Sequence, residues 1–393
     1  MALCLANSLV ARRGFVPYDQ LVRYKWWYQH GYMSSTGQCF DIGTATRDSL
    51  DEFIRRQNKF GKRQKIRENQ LDYLSDRHLI EQFPVDCSQS GAAGNGALMR
   101  LAPVPLFFRH HFEEAIKFSG CSGYITHGDR KAYDACRYFG ALIVACLNGY
   151  SKSKLLDKKF YEKHQAQFGM EPLCNEIKMI VEGSYQKKGG YDDGIRGKGY
   201  IVYSLEAALW AFWSDEDSFE KGVLAVVNLG DDTDTTAAIY GQLAGAYYGY
   251  KNLPKKWVDQ VYAKQYLLKL SKWIAYEGQN WKQTEVIIPL KEGSLLDAHS
   301  YSVDNLFINN PTTPAARPRL RERSSSERTA HTKTIENPKP MTSARSRPPL
   351  PPLPPSDDHT TRSPNRKKKT NQKESPLHFL TPNSKRKNQQ PKN

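Results

Sequence analysis

Between Lys131 and Leu147 the apolar side chains Tyr133, Cys136, Phe139, Leu142, Ile143 and Cys146 recur at steps of three and four. The same spacing returns at 112–119, 200–213, 219–229 and 257–274. That period puts apolar residues on one face of a helix, whereas a half-buried strand needs strict alternation. Very few stretches before residue 300 alternate. The spacing therefore predicts one large all-α domain over residues 1–300. Within it, Ala237, Gly241, Gly245 and Gly249 set a small residue at every fourth position of one helix. Such a face lets a neighbouring backbone approach closely, and the expectation is a central, fully surrounded helix.

Beyond about residue 305 the pattern stops. Of the 22 prolines, 15 lie in 311–393, where Phe379 is the only Phe, Tyr or Trp. A segment so poor in apolar surface cannot offset its ordering entropy, so 305–393 is expected to be a disordered Pro/Ser/Lys/Arg-rich tail. It also carries most of the charge. The chain is +16 overall, and 311–393 holds 19 basic and 6 acidic residues, a net of +13 that leaves +3 for the rest. A strongly basic nucleic-acid-binding core is thereby excluded, and any nucleic acid or anionic lipid would be met by the tail. There, Arg345 to Pro355 (RSRPPLPPLPP) fits a polyproline II ligand for an SH3 or WW domain. Basic clusters at 366–369 and 385–387 are spaced as nuclear-import signals are.

No run of about 18 apolar residues occurs, so no membrane-spanning helix is expected. The start, MALCLANSLVA, has an apolar look, but no positive residue precedes the run and Asn7 and Ser8 interrupt it. It reads as a buried helix closed by Arg12, Arg13 and Gly14 rather than a signal peptide. The seven cysteines are odd in number and widely spaced, with no zinc-type pairing. They read as reduced, mostly buried thiols in an intracellular protein, cytoplasmic or nuclear.

The sharpest candidate site is NLGDDTDTT over 228–236. A helix cap needs one or two Asp or Thr residues. Here three acids and three threonines fill six consecutive positions, which concentrates like charge unless a cation neutralises it. Asp232, Asp234 and Thr235 offer two carboxylates and a hydroxyl, an all-oxygen set suited to Mg²⁺, Mn²⁺ or Ca²⁺ rather than Zn²⁺. A second run, SGAAGNGALMR over 90–100, places Gly94, Asn95, Gly96 and Met99 at a helix start, where backbone N–H groups can meet a phosphate or simply make a turn. Thr126 and His127 lie just before another helix, and a capping Thr with a half-buried His is the plainer expectation. Asp41, between Phe40 and Ile42, is either solvent-exposed or held in apolar surroundings for a purpose. The glycine loop 195–199 leads into a further helix and is equally consistent with ligand positioning or an ordinary turn.

Taken in order, FDIG (40–43), GNGALMR (94–100), TH (126–127), GYIVYSLEAALWAF (199–212), NLGDDTDT (228–235) and AGAYYG (244–249) resemble the ADP-ribosylglycohydrolase family. The resemblance covers roughly residues 1–275. It implies an all-α fold around a pair of Mg²⁺ or Mn²⁺ ions and hydrolysis of the bond between ADP-ribose and a protein side chain or small acceptor. It further implies Asp232, Asp234 and Thr235 as metal ligands, and Gly94, Asn95, Gly96, Met99 and His127 as substrate-binding residues. Asp41 would be the catalytic carboxylate.

The sequence departs from the family where its members carry a Thr-Asp-Asp-Thr run ahead of a helix like 1–11, which implies that about half of the family's metal ligands are missing here, either because the sequence is an incomplete gene model or because the metal centre has been lost. Thr44, Lys198 and Tyr203 are lesser departures. Two alternatives to a hydrolase stay open: a catalytically silent ADP-ribose-binding or structural relative, and an interaction protein displaying the tail.

Overall fold

A computed structural model describes residues 1–169, 171–283, 288 and 289. The tail, with its proline motif and basic clusters, lies outside the described residues. Within them the regular structure is helical, and a lone bridge between Gly94 and Tyr200 is the only extended pairing. None of the described helices is long and apolar enough to cross a membrane.

Helix α1 (Ala2–Arg12) buries every residue from Cys4 to Val10 and ends in a left-handed Arg13 at φ 51°, with the Gly14 N–H returning to Leu9 O. Helix α2 (Pro17–His30) packs against it and α3 (Thr44–Gln64) against α2, their apolar residues joining Phe83 and Phe118 in one hydrophobic cluster. A second cluster gathers α6 (Arg130–Leu147), α7 (Ile201–Ser214), α8 (Phe219–Asn228) and α9 (Thr233–Tyr248). Two further elements are α4 (Gly96–Met99) and α5 (Phe112–Tyr124).

The surrounded helix is α6, not the one carrying the small-residue face. Every residue of α6 from Ala132 to Cys146 is buried. Two of these are charged, and they are paired: Asp134 accepts from Arg130 and from Arg137, each at 2.8 Å. Without those partners a buried carboxylate would cost several kcal/mol, on the order of 3–5. Glycines let α5 come close to α6. A Cβ on Gly120 would overlap Tyr133, and one on Gly140 would stand 2.8 Å from Ser119 Cβ.

Helix α9 corrects the sequence expectation. It buries Thr235, Thr236, Ile239, Tyr240, Leu243 and Ala244, whereas Cβ atoms on Gly241, Gly245 or Gly249 would meet nothing within 4 Å among the described residues. Among the described residues the glycines of that face stand open, while Ala237 and the side chains of the opposite face supply the packing. The stretch 257–274 is likewise two helices, broken where Val261 is extended and Ala263 is left-handed at φ 55°; the second is α10 (Lys264–Asn280).

The seven cysteines are all free, five of them buried. Burial pushes the thiols of Cys136 and Cys146 up to about 12. They are inert structural groups at neutral pH.

Candidate functional site

Three segments that lie far apart in sequence meet at Asn95. Its backbone N–H donates to Gly199 O at 3.0 Å, and the Ile201 N–H donates to Ala93 O at 3.0 Å, which clamps the glycine loop against the turn before α7. Its side-chain Nδ2 donates to Ser204 Oγ at 2.9 Å and to Asp232 Oδ2 at 2.7 Å. With both amide protons so placed, one buried side chain sets the position of α7 and of the α9 start together.

Asp232 occupies the N-cap position of α9, yet its side chain makes no capping bond. The carboxylate turns to Asn95 instead, and the plain-cap explanation fails for this residue. Its backbone N–H donates to Gly197 O at 2.6 Å, and its carbonyl accepts from Thr236 Oγ1 at 2.7 Å. Gly197 is needed here as glycine, since a Cβ would lie 2.9 Å from Thr236 Oγ1. Asp234 is exposed, with Oδ1 accepting the Thr235 N–H at 2.8 Å. The Thr235 hydroxyl reaches Met99 Sδ at 4.0 Å. Gln242 Nε2 donates to the carbonyls of Leu98 and Met99, both at 3.0 Å, and so fixes the end of α4 on α9.

His127 forms the wall behind the glycine loop. A Cβ on Gly94 or on Gly96 would stand 3.4 Å from its Nε2, and one on Gly96 would stand 3.2 Å from Thr46 Oγ1 on α3. The ring is 1% exposed rather than half-buried. Burial, with the nearby Arg100 guanidinium as the second cause, lowers its pKa to about 3, so it is neutral at physiological pH. Thr126 is not a cap: the cap of α6 is Asp129, whose carboxylate accepts the Lys131 N–H at 2.7 Å.

The structure thus brings together Gly94, Asn95, Gly96, Met99, His127, Asp232 and Thr235, with Asp234 exposed on the same helix turn. Asp41 stands apart from that set: it is solvent-exposed at φ 48° in the segment before α3. Thr46, five positions on, is the α3 residue that faces Gly96. Sequence reasoning missed Ser204, Thr46 and Gln242, whose roles depend on contacts that no local pattern announces. It also left the buried Arg100 unassigned.

The donors at 232–235 are hard oxygens. Mg²⁺ commonly takes one or two carboxylates and keeps several waters, so this donor set fits such an ion. Among the described residues no group of three or more His, Cys, Asp or Glu gathers at one point.

Over residues 1–284 the chain matches the ADP-ribosylglycohydrolase family. It belongs to that family. Among relatives, it is 33% identical over 279 residues to ADP-ribosylarginine hydrolase Tri1 of Serratia proteamaculans, covering 70% of this chain and 65% of the relative. It is 35% identical over 274 residues to the Tri1 hydrolase of Pseudomonas putida, covering 69% and 63%. ADP-ribosyl-[dinitrogen reductase] glycohydrolase of Rhodospirillum rubrum is 28% identical over 187 residues, covering 47% and 56%. The chain thus spans less than two thirds of the length of these relatives. A solved structure titled ADP-ribosylglycohydrolase-related protein complex superposes with a TM-score of 0.54 at 31% identity, covering 70% of this chain and 79% of that one.

Proposed function

We propose that the domain binds ADP-ribose attached to a protein and hydrolyses its glycosidic bond, with arginine as the linked residue. The observation that carries this is the junction at Asn95, which draws the glycine loop, the α7 start and Asp232 onto one point beside His127. The arginine linkage is supported by the two ADP-ribosylarginine hydrolases at 33% and 35% identity.

In this scheme the backbone of Gly94 to Gly96 meets the diphosphate and distal ribose, since glycines leave the N–H groups approachable. His127, neutral and buried, lines the cleft as a hydrogen-bonding wall that adds no charge. Asp232, Asp234 and Thr235 would hold Mg²⁺ or Mn²⁺, which when bound supplies Lewis-acid polarisation and charge stabilisation. Asp41 is assigned the carboxylate that assists proton transfer as an oxocarbenium-like centre develops.

The test is release of free ADP-ribose from an ADP-ribosylarginine peptide by the full chain in Mg²⁺. Turnover that is lost in Asp41→Asn supports the assignment. Absence of both release and ADP-ribose binding overturns it. The exposure of Asp41 favours a second reading, ADP-ribose binding without turnover, and binding with no release under either divalent cation would establish it.

A further inference from the structure

Arg100 is 1% exposed, and the four hydrogen bonds its guanidinium makes go to neutral acceptors. Nε donates to the Tyr24 hydroxyl at 3.3 Å and Nη1 to Gly96 O at 3.0 Å. Nη2 donates to Ser122 O at 2.9 Å and to Thr126 Oγ1 at 2.6 Å. The Tyr24 ring also lies 5.0 Å from the guanidinium carbon. A buried cation is expensive, and one spent on backbone and hydroxyl oxygens next to a candidate site calls for a use beyond packing.

The use follows from counting protons. Thr126 Oγ1 accepts from Arg100 and has a single proton of its own to give. Two acceptors are within reach, His127 Nδ1 at 2.9 Å and Gly123 O at 3.5 Å. The Gly123 carbonyl already receives the backbone N–H groups of Thr126 at 3.2 Å and His127 at 3.0 Å, which fills both lone pairs. The hydroxyl proton therefore goes to Nδ1. An imidazole that accepts at Nδ1 carries its proton on Nε2, the nitrogen that faces Gly94 and Gly96.

We propose that Arg100 and Thr126 are positioning residues that fix His127 in the Nε2–H tautomer, so that it presents a hydrogen-bond donor to an anionic or hydroxylic group of the ligand held by the Gly94–Gly96 loop. The guanidinium polarises the hydroxyl, the hydroxyl orients the ring, and the ring donates. The low pKa of His127, set by burial and by the Arg100 guanidinium, keeps the ring neutral and so free to accept at Nδ1. The function of the donor rests on the ADP-ribose reading above; the tautomer does not.

The experiment is long-range ¹H–¹⁵N NMR on the ¹⁵N-histidine-labelled full chain near neutral pH, with the His127 signals assigned by their loss in His127→Gln. The expected wild-type spectrum shows an unprotonated Nδ1 and a protonated Nε2. Thr126→Ser, which keeps the hydroxyl, should retain it, and Thr126→Val should move the signals toward the other tautomer or an average of the two. A protonated Nδ1 in the wild type overturns the proposal with no variant needed, and so does a Thr126→Val spectrum identical to wild type. In parallel, calorimetric titration with ADP-ribose should show affinity falling about tenfold in Thr126→Val, the loss of about one hydrogen bond, and returning in Thr126→Ser. If the wild type binds no ADP-ribose, the functional reading fails while the spectra still decide the tautomer.

Discussion

Asn95 Nδ2 donates to Asp232 Oδ2 at 2.7 Å across 137 positions of sequence. This bond joins a glycine loop with the start of α9, and it replaces the capping bond that Asp232 would otherwise make. Asn95 is 8% exposed, and the carboxylate it meets makes the bond charge-assisted. Removing it with Asn95→Ala should cost about 1.5–3 kcal/mol of stability, the usual range for a hydrogen bond to a charged group. Urea unfolding followed by circular dichroism reads this directly, and an unchanged midpoint would show that the junction holds nothing together.

The two glycine faces should respond in opposite ways. Gly140→Ala forces a methyl against Ser119 between α5 and α6 and should destabilise by about 1–3 kcal/mol. Gly241→Ala meets nothing within 4 Å and should be neutral or gain up to about 1 kcal/mol of helix propensity. Thermal unfolding of the pair checks it. Equal losses at both positions would mean that the face on α9 is packed after all.

His127 predicts an acid-sensitive fold. Its pKa is about 3 in the folded chain, below the usual imidazole value of 6.5, so the unfolded chain binds a proton first as pH falls. Stability from this group is full above pH 6.5 and is lost progressively between there and pH 3. At pH 5 the loss amounts to about 2 kcal/mol. His127→Gln should flatten this part of the stability profile, measured by denaturant midpoints from pH 7 to pH 4. A profile unchanged by the substitution would place the titrating group elsewhere.

The helical class was legible from periodicity, and the oxygens at 232–235 and the glycines at 94–96 from local composition, whereas Met99 and His127 entered only through the resemblance to the family. Lys131 to Leu147 has the helical repeat, and Asp232 to Thr235 has the crowded oxygens. What stayed hidden depends on partners far along the chain. Thr126 looks like a cap in isolation, and only Arg100 and Asp129 in place show that its hydroxyl serves the ring of His127. The small residues of α9 announce a possible close approach, but not whether a neighbour takes it. Meanwhile Gly120 and Gly140, which do bring α5 against α6, form no conspicuous repeat. The break at Ala263 was masked because apolar spacing continues in phase across it.

Asp234 is exposed and Asp232 is held by Asn95, so the two carboxylates should contribute differently once a divalent ion is supplied. Asp234→Ala should leave unfolding within about 0.5 kcal/mol of wild type, as surface substitutions generally do, while reducing any Mg²⁺-dependent gain in thermal stability. Differential scanning calorimetry with and without Mg²⁺ tests this. An undiminished Mg²⁺ response in Asp234→Ala would remove that residue from the ligand set.

The most direct test of the site as a whole is calorimetric titration of ADP-ribose into the full chain and into Asp232→Ala, each with Mg²⁺ and with chelator. The expected result is binding that strengthens with Mg²⁺ in the wild type, weakens at least about tenfold in Asp232→Ala, equivalent to about 1.4 kcal/mol, and no longer responds to Mg²⁺ there. Tight, metal-independent binding that survives Asp232→Ala would contradict it.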